Sequence, residues 1–140
     1  MFAVVLIIHS WLRWLVLLAL VARIGRALMA RVQDSPFSVV DRRISLVTVI
    51  LADLQLTLGL VLWAMSPTIQ QALADPGAAM KNSALRLLFV EHPITMIASV
   101  VFVHVAHAVG KRSTPDRPAH ARVLLFVSIA LVLMLSRIPW

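Results

Sequence analysis

The chain has 140 residues, about the length of one domain, and 61% of them are hydrophobic while only 14% are charged. This balance excludes an ordinary soluble domain and indicates an integral membrane protein. The formal net charge of +7 does not indicate nucleic-acid binding, because the arginines lie in short stretches between apolar segments, and the lack of cysteine excludes disulfides and thiolate metal sites.

Four apolar segments are long enough, or nearly so, to cross a hydrocarbon core about 30 Å thick as helices. In chain order they cover about residues 3–22, 44–65, 85–109 and 123–138. Turn-forming residues separate them, at Asp34-Ser35-Pro36, Ser66-Pro67, Asp75-Pro76-Gly77 and the run from Gly110 to Pro115. We therefore predict an all-α fold in which residues 1–140 form a single four-helix transmembrane bundle with up-down topology.

Positive charge is distributed unevenly among the predicted connections. The first and third connections with their flanks carry nine lysines and arginines, namely Arg23, Arg26, Arg31, Arg42, Arg43, Lys111, Arg112, Arg117 and Arg122. The second connection and the C-terminal end carry three, namely Lys81, Arg86 and Arg137. Because positively charged loops stay in the cytoplasm, we predict a multi-pass protein of the bacterial inner membrane with both termini outside, in the periplasm.

Ionisable residues inside the apolar segments are expected to face the protein interior and to find partners there. At 1.5 Å per residue, His9 lies roughly 9 Å and His92 about 10 Å below the outer starts of their helices, so the two imidazoles are predicted at a similar depth. Arg13 lies one turn below His9, and Asp53 lies near the middle of the second segment. We predict an ion pair between Arg13 and Asp53 in a buried polar network that includes Glu91.

Pro93 disturbs the third helix beside His92. Proline has no backbone N–H, so the carbonyl of Phe89 loses its usual helical donor, and a kink is predicted that widens the space next to the imidazole. The second helix carries a stripe of small and polar residues that allows close helix packing, namely Ser45, Thr48, Ala52, Gln55 and Gly59.

Two imidazoles at one depth on different helices are what a b-type haem needs as axial ligands. We therefore predict one haem b whose iron is bound by His9 and His92 near the outer face, with Arg13 or Arg86 beside its propionates. A second, inner haem is not predicted, because the first helix has no further histidine. The predicted function is that of a membrane electron carrier, which exchanges electrons with quinol or a periplasmic partner.

Four segments resemble a family of small, uncharacterised four-helix bacterial membrane proteins, namely HSWLRWLVL (9–17), DLQLTLGL (53–60), ALRLLFVEHPITM (84–96) and IPW (138–140). Some members of that family are labelled cytochrome-b-like. The similarity spans nearly the whole chain, and the matching positions include His9, Arg13, Asp53, Glu91 and His92. The resemblance implies the four-helix fold and a haem, and it carries no activity.

Two other interpretations stay open. The chain is compatible with an accessory subunit of a larger respiratory or photosynthetic complex, either without a cofactor or with a pigment bound through a histidine. It is also compatible with a small transport or metal-handling protein whose copper or other transition-metal ligands are His9, Glu91, His92 and Met96. His104 and His107, three residues apart, are half a metal site or interfacial side chains. The short loops leave little room for a catalytic domain, so enzymatic activity is left undecided.

Overall fold

The computed structural model describes residues 1–114 and 119–139. The element order is α1 (Phe2–Val32), α2 (Val39–Met65), α3 (Pro67–Ala74), α4 (Pro76–Lys81), α5 (Ser83–Arg86), a π-helical turn (Leu87–Glu91), α6 (His92–Lys111) and α7 (His120–Arg137). Three residues used in the predictions above lie outside the described ranges, namely Pro115, Arg117 and Trp140.

Four helices are long and apolar enough to cross a membrane: α1, α2, the continuous helix Ser83–Lys111, which joins α5, the π-helical turn and α6, and α7. The all-α class and the four candidate membrane spans are therefore confirmed. Large apolar side chains cover the outer surfaces of these helices, for example Trp11, Leu18 and Val132. Such surfaces are compatible with direct contact with lipid.

Contacts between the long helices show how they run. α1 and α6 each pack against both α2 and α7. Gln55 late in α2 contacts His9 early in α1, and His92 at the start of α6 contacts Arg137 at the end of α7. Neighbouring helices are therefore antiparallel. We call the end that holds the start of α1 and the end of α7 the terminal end, and the opposite end, with the α1–α2 connection, the loop end.

The first two helices extend beyond their apolar segments at the loop end. α1 continues to Val32 rather than Ala22, because hydropathy marks only the membrane-crossing part and arginine is itself a good helix former. The chain then turns at Asp34, whose φ is 48°. α2 begins with a capping box, in which the Ser38 hydroxyl accepts from the Asp41 N–H at 3.2 Å and the Asp41 carboxylate accepts from the Ser38 N–H at 2.7 Å.

The second connection, predicted as turns, contains two short helices. Pro67 and Pro76 are the first residues of α3 and α4. The N–H of a residue at this position has no acceptor within the helix, so proline costs no hydrogen bond there. The Asp75 carboxylate caps α4 by accepting from the Ala78 N–H at 3.0 Å. Ile69 of α3 is buried, so this short helix lies against the long helices at the terminal end.

The core between the long helices consists mainly of small and β-branched side chains, which let the backbones approach closely. Its fully buried members include Val16, Leu20, Ala52, Val103, Ala106, Val127 and Ala130. The loop end of α6 is packed most tightly, since a Cβ added at Gly110 would lie 2.7 Å from the ring of Phe37. This packing fills the loop-end half and leaves the open space at the terminal end.

Candidate functional site

A cavity of about 430 Å³ lies between the four long helices in their terminal-end half. Its polar lining includes His9 and Arg13 from α1, Gln55 from α2 and His92 from α6, while most of the remaining lining is apolar. The volume falls in the range of small-molecule sites, roughly 300–1,000 Å³. The two histidines that the sequence places at one depth therefore line one cavity.

His92 is held in one orientation by the end of α7. Its Nδ1 lies 2.8 Å from the carbonyl oxygen of Arg137. A carbonyl can only accept, so Nδ1 carries the proton and donates, and Nε2 keeps its lone pair. Histidines that bind metals usually donate their other ring N–H to a carbonyl or carboxylate in this way. His92 thus presents a nitrogen suited to bind a metal.

His9 is held by Gln55. The Gln55 side-chain amide donates to the His9 carbonyl oxygen at 3.0 Å, and the same nitrogen lies 3.3 Å from His9 Nε2. Within the part of the chain that the structure describes, His9 Nδ1 and Gln55 Oε1 are buried and have no hydrogen-bond partner. Buried polar atoms without partners are rare in native proteins and call for an explanation. Both atoms are also closed off from the cavity space, so a bound group would reach them only if the His9 ring or the Gln55 amide moved.

Gly59 makes room for the His9 ring. A Cβ at this position would lie 3.0 Å from His9 Cε1 and 3.6 Å from Nδ1, closer than side chains usually pack. The sequence interpretation gave Gly59 a role in helix packing only. The structure shows that the small residue admits an imidazole, which periodicity alone does not reveal.

The predicted disturbance at Pro93 takes the form of the π-helical turn that ends directly before His92. The freed carbonyl of Phe89 accepts a hydrogen bond from Trp63 Nε1–H at 3.0 Å, and the two rings stack with their centroids 6.1 Å apart. From its position near a helix end alone, a tryptophan is expected to lie at the membrane interface. The sequence did contain a signal for this hydrogen bond, because Pro93 frees a carbonyl at about the depth of the Trp63 indole.

We expect that replacing Trp63 by phenylalanine destabilises the protein. The ring stack would remain, but the carbonyl of Phe89 would lose its donor, at a cost of about 0.5–1.5 kcal/mol. Thermal unfolding of the purified protein in detergent measures the effect as a lower Tm. Trp11→Phe is the matched control, because Trp11 is 72% exposed on the outer surface. Equal Tm values for the two variants would show that the hydrogen bond has no stabilising role.

Glu91 and Arg86 lie outside the cavity and bind each other. Arg86 Nε lies 2.7 Å from Glu91 Oε1, and Arg137 Nε lies 3.3 Å from Glu91 Oε2. Arg86 also donates to the carbonyl of Met80 at 3.1 Å. Arg86, predicted beside haem propionates, is therefore engaged elsewhere, and Arg13 is the arginine that lines the cavity among the described residues.

Asp53 has a different partner from the predicted Arg13. Its Oδ1 lies 2.8 Å from His104 Nε2, on the outer surface of α2 and α6. The physical reason is rotation about the helix axis, because Asp53 and Gln55 lie about 200° apart on α2 and only Gln55 points to His9. The predicted network of Arg13, Asp53 and Glu91 is thus divided among three separate places.

The remaining histidines form hydrogen bonds with single partners. His107 Nδ1 lies 2.8 Å from the Ser45 hydroxyl, and His120 Nε2–H donates to the Ser35 carbonyl at 3.1 Å. In residues 1–114 and 119–139, no group of three or more histidine, aspartate or glutamate side chains is placed to hold a metal ion. Arg23, interpreted as a topology residue, is buried at the loop end with 4% exposure.

Comparison of the chain with protein-family models, with curated proteins and with solved structures found no match. Fold-level analogy therefore adds nothing to the functional argument.

Proposed function

We propose that this protein is a b-type-cytochrome-like membrane electron carrier that binds one haem b in the cavity, where His9 and His92 would hold its iron. The observation that carries the proposal is that both histidines line one cavity of about 430 Å³ while the Arg137 carbonyl fixes the His92 tautomer. Bound haem would supply one-electron redox chemistry.

The residues around the cavity fit this group. His92 Nε2 keeps its lone pair because Nδ1–H is donated to the Arg137 carbonyl, so this nitrogen would be available as a ligand. His9 Nε2 would have to give up the 3.3 Å contact with the Gln55 amide, which keeps its 3.0 Å hydrogen bond to the His9 carbonyl. Gly59 leaves space for the His9 ring, and Arg13 provides a positive charge in the cavity wall for a propionate.

The membrane arrangement belongs to the same proposal. The four helices would form an up-down bundle in the bacterial inner membrane, with the loop end in the cytoplasm and both termini outside. The arginines and lysines at the loop end, among them Arg26, Arg31 and Arg42, support this orientation. The haem would then lie near the outer face, within reach of quinol, a periplasmic protein or a neighbouring subunit of a larger complex.

Absorption spectroscopy tests the proposed function. The protein is purified gently from its native membrane, and spectra are recorded in the oxidised and the dithionite-reduced state. We expect a Soret band, α and β bands after reduction, and one haem per chain in a pyridine haemochromogen assay. A colourless protein under full haem supply would contradict the proposal and favour a cofactor-free accessory subunit.

A further inference from the structure

The hydrogen-bonded pair of Asp53 and His104 lies on the outer surface, where a membrane protein rarely exposes ionisable side chains to lipid. Asp53 is near the middle of α2, and His104 is at the same level because the two side chains are 2.8 Å apart. Their side chains are 47% and 50% exposed on the outside of the four helices. Ionisable groups at such depth are costly in contact with lipid, and in known proteins they almost always face other protein or a water-filled cavity.

The surface around this pair allows another helix to approach closely. Thr57 and Ala108, one turn after Asp53 and His104, are both exposed and short. The Thr57 hydroxyl donates to the Asp53 carbonyl at 2.8 Å, so it needs no external partner. Exposed apolar side chains continue the surface on both helices, namely Leu46, Ile50, Ile97 and Val101. Small residues of this kind are enriched at helix–helix contacts in membranes.

We propose that this α2–α6 surface is a self-association face and that a second copy of the chain covers the Asp53–His104 pair. Each copy contributes one carboxylate and one imidazole at the same depth, so the polar groups of the surface are complementary to those of a second copy. A twofold axis along the membrane normal brings Asp53 of one copy next to His104 of the other, which is an isologous contact. One ring nitrogen of His104 contacts Asp53 of its own chain, so the other can contact Asp53 of the second copy.

A second copy is favoured over an unrelated partner by this match of a carboxylate with an imidazole. A different transmembrane helix would need its own acid and base at matching positions, whereas a second copy has them by symmetry. The contact also requires no haem, so it goes beyond the proposed function and is tested separately from it. A colourless preparation leaves the cross-linking result below fully interpretable.

Cysteine cross-linking tests the proposed face, since the natural chain has no cysteine. Thr57→Cys and Ala108→Cys each place a thiol on the face, and Val132→Cys places one on α7, where Val132 is 65% exposed. Each full-length variant is reconstituted at a low protein-to-lipid ratio in phosphatidylethanolamine–phosphatidylglycerol vesicles and treated with a short bis-maleimide. We expect covalent dimers from the first two variants and monomers from the third.

A second substitution tests whether dimer formation depends on the Asp53–His104 pair. Asp53→Asn in the Thr57→Cys chain keeps the side-chain shape and removes the charge, and we expect the cross-linked fraction to fall several-fold. Equal cross-linking of Val132→Cys, no dimer from either face variant, or no effect of Asp53→Asn would overturn the proposal. Cross-linking in native membranes only to a different protein would also overturn it and would identify another occupant.

Discussion

Replacement of His92 by alanine is expected to abolish haem binding and, with it, the Soret, α and β bands of the purified protein. His92 presents an Nε2 lone pair in the cavity wall because its Nδ1–H is donated to the Arg137 carbonyl at 2.8 Å. Alanine leaves no ligand on α6 at that place. His9→Ala is expected to give the same loss, since both histidines would hold the haem in the proposed site.

The control for this prediction is His104→Gln. His104 does not line the cavity, so its replacement should leave the haem bands unchanged. Size-exclusion chromatography and far-ultraviolet circular dichroism check that each variant keeps its fold, and imidazole added to His92→Ala should restore part of the spectrum. Full haem content in His92→Ala would show that the ligand lies elsewhere.

Replacement of Gly59 by leucine is expected to have a comparable effect without removing any ligand. A Cβ at this position would already lie 3.0 Å from His9 Cε1, and the rest of a leucine side chain would displace the imidazole or enter the cavity. We expect a haem content near zero for Gly59→Leu. For Gly59→Ala, a small shift of the His9 ring should suffice, with displaced bands and lower occupancy, and the haem content of each variant is measured by absorption.

Gly25→Leu is the matched control, because a Cβ at Gly25 would meet nothing within 4 Å. Removal of a helical glycine there is expected to stabilise α1 by roughly 0.5–1 kcal/mol, since glycine loses more backbone entropy on folding than other residues. Haem content should match that of the natural chain. If Gly59→Leu also kept its full haem content, the His9 ring would not be part of the site.

The spans and the common level of the two site histidines could be predicted from the sequence for a geometric reason. A bilayer of fixed thickness sets the helix length, and the axial rise per residue converts sequence position into depth. His9 and His92 lie near the starts of α1 and α6, which both begin at the terminal end and run in the same direction, so similar offsets bring the two residues to one cavity. Pro93 also had the predicted effect. It leaves the Phe89 carbonyl without its helical donor, and Trp63 Nε1–H donates to this carbonyl instead.

Side-chain partners were harder to predict, because depth does not determine rotation about a helix axis. Asp53 has the depth expected for an internal partner but points to the outer surface and to His104. Arg86 is near the terminal end as expected, yet Glu91, five residues later across the π-helical turn, takes its guanidinium. The π-helical turn changes the angular spacing of residues, and no simple periodicity contains it.

Near-infrared magnetic circular dichroism of the oxidised protein is the most direct test of the claim that His9 and His92 together hold one haem. The energy of the charge-transfer band distinguishes two imidazole ligands from an imidazole and a thioether, and Met96 and Met134 also line the cavity. We predict a low-spin signal typical of two imidazoles. A thioether-type band, a high-spin haem or no haem signal would contradict the proposed site.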